Sequence, residues 1–374
     1  MRELGRATGL RVPAQGLGCM GISWAYGAHS PADTEVAATA FDAYAAAVGA
    51  GTPLHLDTGW IYSTWQEDKG VPHNETLVGH AIKKFGRANV VVGDKLGVDI
   101  RTPPNVFRQA PAELAQQLEE SLARLGTDYL DIFYLNRPAP HIPIEDSMRV
   151  LAGFVKAGKV RHVGLIEVCA EDVRRAHAVH PVAAVQLEWS VIARDAEAAV
   201  IPACRELGIG IVAYCPIARG LLSGDALPAL DSLPPTDFRK MWPRTADPAA
   251  LAANKAKAAV VAKVAARLGA TSAQVALAWV HAQGSDVFPI PGSRDPARIA
   301  ENVAAFKLRL SAEDMAELDA IGEAVGDRYG HGNMMTHQWR EQKLKEAREA
   351  GGGGGGGDDD DGEAGAGAAP WMPA

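Results

Sequence analysis

Three residues in the first hundred could move a proton between them: Asp57 and Tyr62 in LHLDTGWIY, and Lys95 in NVVVGDKLG. A tyrosine hydroxyl has a pKa of about 10 in water, so it is a poor acid near neutrality without help. A lysine ammonium nearby favours the phenolate, and a carboxylate behind that lysine keeps it charged and oriented. Such a relay can protonate a carbonyl oxygen while hydride arrives at the carbon. Each residue falls at or just after the end of a short apolar run. Asn136 closes a third run, YLDIFYLN at 129–136. In a parallel barrel such ends gather at one face, where active sites are built. Taken singly, each has a plain structural alternative: Asp57 as a helix cap, Tyr62 as a packed aromatic, Lys95 as a solvated strand end and Asn136 as the end of a strand.

The elements that would position them alternate along the chain. Runs at 16–20, 54–57, 89–95, 129–135, 160–166, 182–188, 209–214 and 286–290 have the β-branched content and Gly or Pro punctuation of buried parallel strands. Amphipathic stretches lie between them. In 112–126, Leu114, Leu118, Leu122 and Leu125 recur at helical spacing, and 271–284 carries Thr271 or Ser272 as a cap before Val275, Leu277, Ala278 and Trp279. Eight strands with intervening helices predict a (β/α)8 TIM barrel. A doubly wound sheet is the alternative, weakened because no GxGxxG follows an early strand. Long irregular stretches at 220–248 and 326–335 follow strand-like segments and read as active-face loops or lids.

The 374 residues, 47% hydrophobic and 22% charged, suit one barrel of roughly 250 residues with extensions. We expect a barrel over 1–340 and a C-terminal extension over 341–374. From about 351 its glycine and aspartate runs carry too little apolar surface to offset ordering entropy, which predicts disorder. The net charge of −8 argues against nucleic acid as a partner. No run of 18 apolar residues exists, so no membrane span is expected. Four dispersed cysteines without CxxC or nearby histidines predict neither disulfides nor zinc and favour the cytoplasm, with an organelle left open. Oligomeric state is not legible.

Several segments in order resemble the aldo-keto reductases, with the perakine-reductase and auxin-induced type as the most similar branch. They are GLGCMG (16–21), LHLDTGWIY (54–62), DKLG (94–97), LARLGTDYLDIFYLNRP (122–138), FVKAGKVRHVGL (154–165), IPACRELGIGIVAYCP (201–216) and FPIPGS (288–293). The likeness runs from about Leu4 to about Tyr329. It implies a (β/α)8 fold, NADPH as cofactor, no metal, and reduction of a small-molecule aldehyde or ketone. By the same resemblance Tyr62 is the catalytic acid, Lys95 the residue that lowers its pKa and Asp57 the carboxylate behind that lysine. Gln186 would contact the nicotinamide carboxamide and Tyr214 would stack on the ring. Ser293, Arg294, Arg298 and Asn302 would grip the adenosine 2′-phosphate and adenine, where a helix N-terminus and arginines suit a phosphate.

The departures cluster at the site. Asn136 stands where most members have histidine; its amide can donate a hydrogen bond but cannot carry charge or relay a proton. Potassium-channel beta subunits of the family share that asparagine before Arg-Pro and keep the cofactor site. Ile166 replaces a serine that bonds the carboxamide, Cys215 another serine and Ala218 a glycine. These substitutions support an alternative function, an NADP(H)-binding sensor or regulatory module with weak catalysis. A pyridoxal reductase is a third option that no residue selects. Trp24, Tyr26, Trp60, Trp65 and Trp242 are candidates to line an apolar pocket for aromatic carbonyls.

Overall fold

The computed structural model describes residues 1–62, 70–100, 106–224, 230–329 and 336–351. Trp65, parts of both long loops and the glycine–aspartate tail lie outside these. A short antiparallel pair, β1 (Arg2–Glu3) and β2 (Arg11–Val12), precedes an eight-stranded parallel sheet. Its strands are β3 (Leu17–Gly18), β4 (Leu54–Asp57), β5 (Val90–Leu96), β6 (Leu130–Asn136), β7 (Val160–Ile166), β8 (Val182–Glu188), β9 (Gly210–Tyr214) and β10 (Val287–Pro289). Each pairs with its sequence neighbours, so the order is strictly sequential. All eight coincide with the apolar runs in the sequence, because strands buried on both faces read as continuous hydrophobic stretches.

The sheet curls, and two backbone hydrogen bonds link segments near its two ends. Gly16 N–H donates to the Pro289 carbonyl at 3.0 Å, and Gly18 N–H to that of Pro291 at 3.2 Å. A Cβ on Gly18 would lie 2.7 Å from the Ile290 oxygen, and one on Gly292 equally close to the Gly18 oxygen. In the GxGxxG spacing at 16–21, Gly18 thus serves close approach of backbones, while Gly16 and Gly21 face the side chains of His55 and Tyr26. The spacing does not follow a strand; Leu17–Gly18 is itself one.

Helices cover the outside. Among the described residues they are α1 (Met20–Ser23), α2 (Asp33–Val48), α3 (Asn74–Phe85), α4 (Pro111–Leu125), α5 (Ile144–Lys156), α6 (Ala170–Val179), α7 (Val200–Leu207), α8 (Pro243–Ala246), α9 (Pro248–Leu268), α10 (Ser272–Ala282), α11 (Pro296–Ala304), α12 (Ala312–Asp319) and α13 (His337–Gly351). In α4 the leucines at 114, 118, 122 and 125 are all buried, as their spacing requires. Thr271 caps α10, accepting from Gln274 N–H at 3.2 Å. Helix α13 crosses position 340 and is seated against the barrel by Arg340, which donates to Asp172 at 2.7 Å and to the Ala139 carbonyl at 2.7 Å. Trp339 stacks on Phe107 with ring centres 6.3 Å apart. No helix among the described residues is long and apolar enough to cross a membrane.

Inside the sheet, His55 and Asp57 share a face of β4. Both ring nitrogens of the buried His55 lack a hydrogen-bond partner among the described residues. Burial pushes His55 and His281 down to about 4. A histidine whose pKa is lower folded than unfolded binds its proton more readily in the unfolded chain, so stability is full above about pH 6.5 and is lost as pH falls toward 4. Each should contribute a slope of about 1.4 kcal/mol per pH unit in that window. Urea unfolding between pH 7 and 4.5 checks this; a constant midpoint would show that neither ring is held neutral.

Candidate active site

Asp57 is the last residue of β4, Lys95 the penultimate residue of β5 and Asn136 the last of β6, so all three stand at the C-terminal face. Past β4 the ladder continues into the loop. Thr58 N–H donates to Gly93 O at 2.9 Å, and Trp60 N–H to Lys95 O at 3.0 Å. The loop is therefore tethered to β5 and carries Tyr62 back over Lys95. Gly59 makes the fold-back possible, since a Cβ there would meet the Tyr62 ring at 3.2 Å. His73, just before α3, fastens the loop from outside. Its Nδ1 accepts from Glu75 N–H at 3.2 Å, so Nε2 carries the proton and donates to Trp60 O at 2.9 Å.

The three expected catalytic residues lie together and are buried. Lys95 Nζ donates to Asp57 Oδ1, in a short ion pair, and to the Thr58 carbonyl at 2.7 Å. It lies 5.0 Å from the centre of the Tyr62 ring. Burial alone would lower the lysine's pKa, but Asp57 and then Tyr62 outweigh it and hold the ammonium above its usual range. Burial is also the largest influence on Tyr62; it pushes the phenol up to about 12, while Lys95 pulls it back. The phenol is thus fully protonated at neutral pH. Lys95 thus acts on the phenol in the downward direction, and burial outweighs it.

Gln186 on β8 reaches the same cluster, its Nε2 donating to Asp57 Oδ2 at 2.8 Å. Below it the Tyr134 ring fills the lumen between Gly93 and Gly164, where added Cβ atoms would come within 2.8 and 2.4 Å of the ring. The Tyr134 hydroxyl is buried without a hydrogen-bond partner among the described residues.

Asn136 is buried at its strand end, and its Oδ1 accepts from Arg137 Nη1 at 3.1 Å. Its amide nitrogen donates to none of the described residues. The backbone beyond it is stitched by Gln109, whose Nε2 meets the carbonyls of Gly97, Asn136 and Arg137 at 3.1, 3.1 and 2.9 Å. Arg137 Nη2 donates to the Tyr329 hydroxyl at 3.0 Å, and that oxygen lies 3.1 Å from the hydroxyl of Tyr214. Tyr214, at the end of β9, is thereby joined to the Asn136 side of the site. Arg137, Glu167 and Cys215 directly follow β6, β7 and β9 with φ of 52°, 52° and 49°. Strained backbone of this kind concentrates at functional sites. Burial raises the Cys215 thiol to about 11, which leaves it unreactive at neutral pH.

The remaining expected residues form a separate group at α11. Asp295 caps the helix, accepting from Ala297 and Arg298 N–H at 2.8 and 3.4 Å. Those amides are therefore taken by the chain's own carboxylate, which the sequence reading left available for a phosphate. Arg294 pairs with Asp33 at 2.9 Å and donates to Ala28 O at 2.9 Å. Arg298 is exposed and lies 3.8 Å from Asp295. Ser293 accepts from Asp295 N–H at 3.1 Å, and Asn302 is buried.

Of the pocket aromatics, Trp24 lies 5.2 Å from Tyr62, ring centre to ring centre, and 5.1 Å from Phe238. Phe238 N–H donates to Ala25 O at 3.0 Å and Gly27 N–H to Asp237 at 2.8 Å, so the first loop and the 220–248 stretch clasp each other beside Tyr62. Trp60 turns away, its indole donating to Glu120 on α4 at 2.8 Å. Trp242 is buried in loop packing and donates to Arg328 O at 2.6 Å. Sequence reasoning missed Gln109, Tyr134, Glu167, Arg328 and His337; only the position of Glu167 at a strand end offered any signal.

The sequence profile of the aldo/keto reductase family matches residues 16–323. The chain belongs to this family. It is similar to a thermostable aldo-keto reductase solved with the inhibitor epalrestat, at 27% identity and a TM-score of 0.65, over 86% of this chain and 99% of that one. It also shares the fold of the glycerol dehydrogenase of Gluconobacter oxydans, at 24% identity and a TM-score of 0.72, over 86% of this chain and 94% of the other. Family membership makes this reductase-type chain an oxidoreductase acting on carbonyl compounds or alcohols, of a kind that uses a nicotinamide cofactor.

Proposed function

We propose that this reductase-family chain is a closed (β/α)8 barrel that reduces aldehydes or ketones with NADPH, Tyr62 acting as general acid. The observation that carries the proposal is the buried Asp57–Lys95 pair, with Lys95 Nζ 5.0 Å from the centre of the Tyr62 ring. The two backbone hydrogen bonds between the ends of the sheet support full closure. The branch likeness to the perakine-reductase type rests on the sequence motifs alone.

The residues present fit NADPH. Arg298 is an exposed guanidinium in the segment that also carries Ser293 and Arg294, residue types suited to a 2′-phosphate. At the other end, Gln186 and Tyr214 suit a carboxamide and a flat ring. When bound, the cofactor supplies hydride. Tyr62 then holds the proton for the carbonyl oxygen, and Lys95 steadies the charge that develops on the phenol as the proton leaves. Asp57 keeps Lys95 in place, and the Asn136 amide nitrogen offers a hydrogen bond to the same oxygen. Trp24 and Tyr26 favour aromatic carbonyls. The four free cysteines fit a reducing, cytoplasmic setting.

Purified protein should oxidise NADPH when given a reactive aldehyde such as a nitrobenzaldehyde. Absence of turnover with NADPH or NADH across a panel of aldehydes would count against the enzyme. The sensor reading draws on one observation: Asn136 Oδ1 is held by Arg137, so the amide is fixed and cannot titrate. Asn136→His separates the two. A gain of about tenfold or more in turnover is expected if the relay lacks only a stronger donor, whereas an unchanged, negligible rate favours the sensor.

A further inference from the structure

Glu167 follows β7 in the left-handed region, and its carboxylate is fully buried. A residue with a side chain persists there only when its surroundings over-determine it. Here the surroundings are hydrogen bonds. Oε1 accepts from the Tyr214 hydroxyl at 2.7 Å, Arg328 Nη1 at 3.0 Å and Glu188 N–H at 3.1 Å. Oε2 accepts from His337 N–H at 3.1 Å and lies 3.3 Å from His337 Nδ1. Burial alone would raise this carboxyl, but Arg328 and His337 outweigh it and hold it well below the usual range.

A second carboxylate repeats the grip. Asp195 pairs with Arg328 in a short contact and lies 3.5 Å from His337 Nε2. Arg328 and His337 lie on either side of the connection into α13, so two carboxylates on the active face hold both of its ends. Arg340 and, through Glu171, Arg348 extend the attachment along the helix. Glu167 touches both this attachment and the Tyr214 hydroxyl.

We infer that Glu167 couples docking of the C-terminal helix to the setting of the Tyr214 ring, so that the C-terminal segment regulates cofactor affinity. The inference rests on the reading of Tyr214 as the residue that stacks on the nicotinamide. Glu167 is thus a positioning residue. Cofactor binding that fixes Tyr214 tightens the Glu167–His337 contact, and by linkage an undocked helix weakens cofactor binding to the same extent.

The test uses the full chain. NADPH is titrated by fluorescence, and amide exchange across 337–349 is followed with and without NADPH. Tyr214→Phe and His337→Ala should each weaken binding about three- to tenfold, the scale of one lost hydrogen bond. The double variant should weaken it by less than the product, the sign of coupling. NADPH should slow exchange in the helix of the wild type but not of Tyr214→Phe. A helix needed only for folding would lower Tm without that coupling. Glu167→Gln should also weaken binding; if loss of its pairing with Arg328 prevents folding, the two milder variants still decide. Independent effects of the variants, or exchange indifferent to bound NADPH, overturn the coupling alone. A wild type that binds neither NADPH nor NADH overturns the proposed function and the coupling with it.

Discussion

Tyr62→Phe is expected to lower aldehyde reduction about 10²- to 10⁴-fold while NADPH binding stays within about twofold, because the change deletes one acidic proton and keeps the ring. The ring must stay, since it packs against Trp24 and faces Lys95. Steady-state kinetics with parallel fluorescence titration makes the distinction. Undiminished turnover would remove Tyr62 from the mechanism. The pH profile follows from the same burial. The active form is the protonated phenol, pushed up to about 12, so the rate should be flat from neutrality and fall only as pH approaches that value. A fall near pH 8 would mean that bound cofactor exposes the phenol or brings Lys95 closer to it.

Lys95→Met is expected to damage stability as well as turnover. The lysine and Asp57 are both buried, and among the described residues the Gln186 amide is the side-chain donor that Asp57 would keep. Breaking a buried pair from one side costs about 3–5 kcal/mol, because a charge remains without its counterion. Thermal or urea unfolding should register this directly. Adding Asp57→Asn removes the stranded charge, so the double variant should recover most of the lost stability and none of the activity. If the single variant is as stable as the wild type, water reaches Asp57 and the relay is less enclosed than its geometry implies.

The curled parallel sheet was legible because its signal is local. Eight strands buried on both faces appear as eight apolar runs, and their order in a sequential parallel sheet follows from the helices between them. Asp57, Lys95 and Asn136 were legible as strand ends. Tyr62 was not, since its position depends on the hydrogen bonds of Thr58 and Trp60 to β5 and on the room left by Gly59. The partner of Trp60, one of the candidate pocket aromatics, was hidden for a similar reason. Nothing in GWIY indicates that the indole would find Glu120, 60 residues on. Helix α13 reads as an ordinary solvated helix, HQWREQK, yet His337 and Arg340 are buried against carboxylates some 170 residues earlier.

The ends of the apolar runs therefore pointed to a gathering face with residues able to transfer a proton, and the ordered motifs pointed to the family, because each of these signals is local. How those groups behave depends on distant ones. Desolvation by the whole barrel puts the Tyr62 phenol near 12 against the pull of Lys95, and chain closure brings Glu167, Tyr214 and His337 within 3.3 Å of shared oxygens. Burial and long-range contact are sums over the folded chain, and no local pattern encodes them.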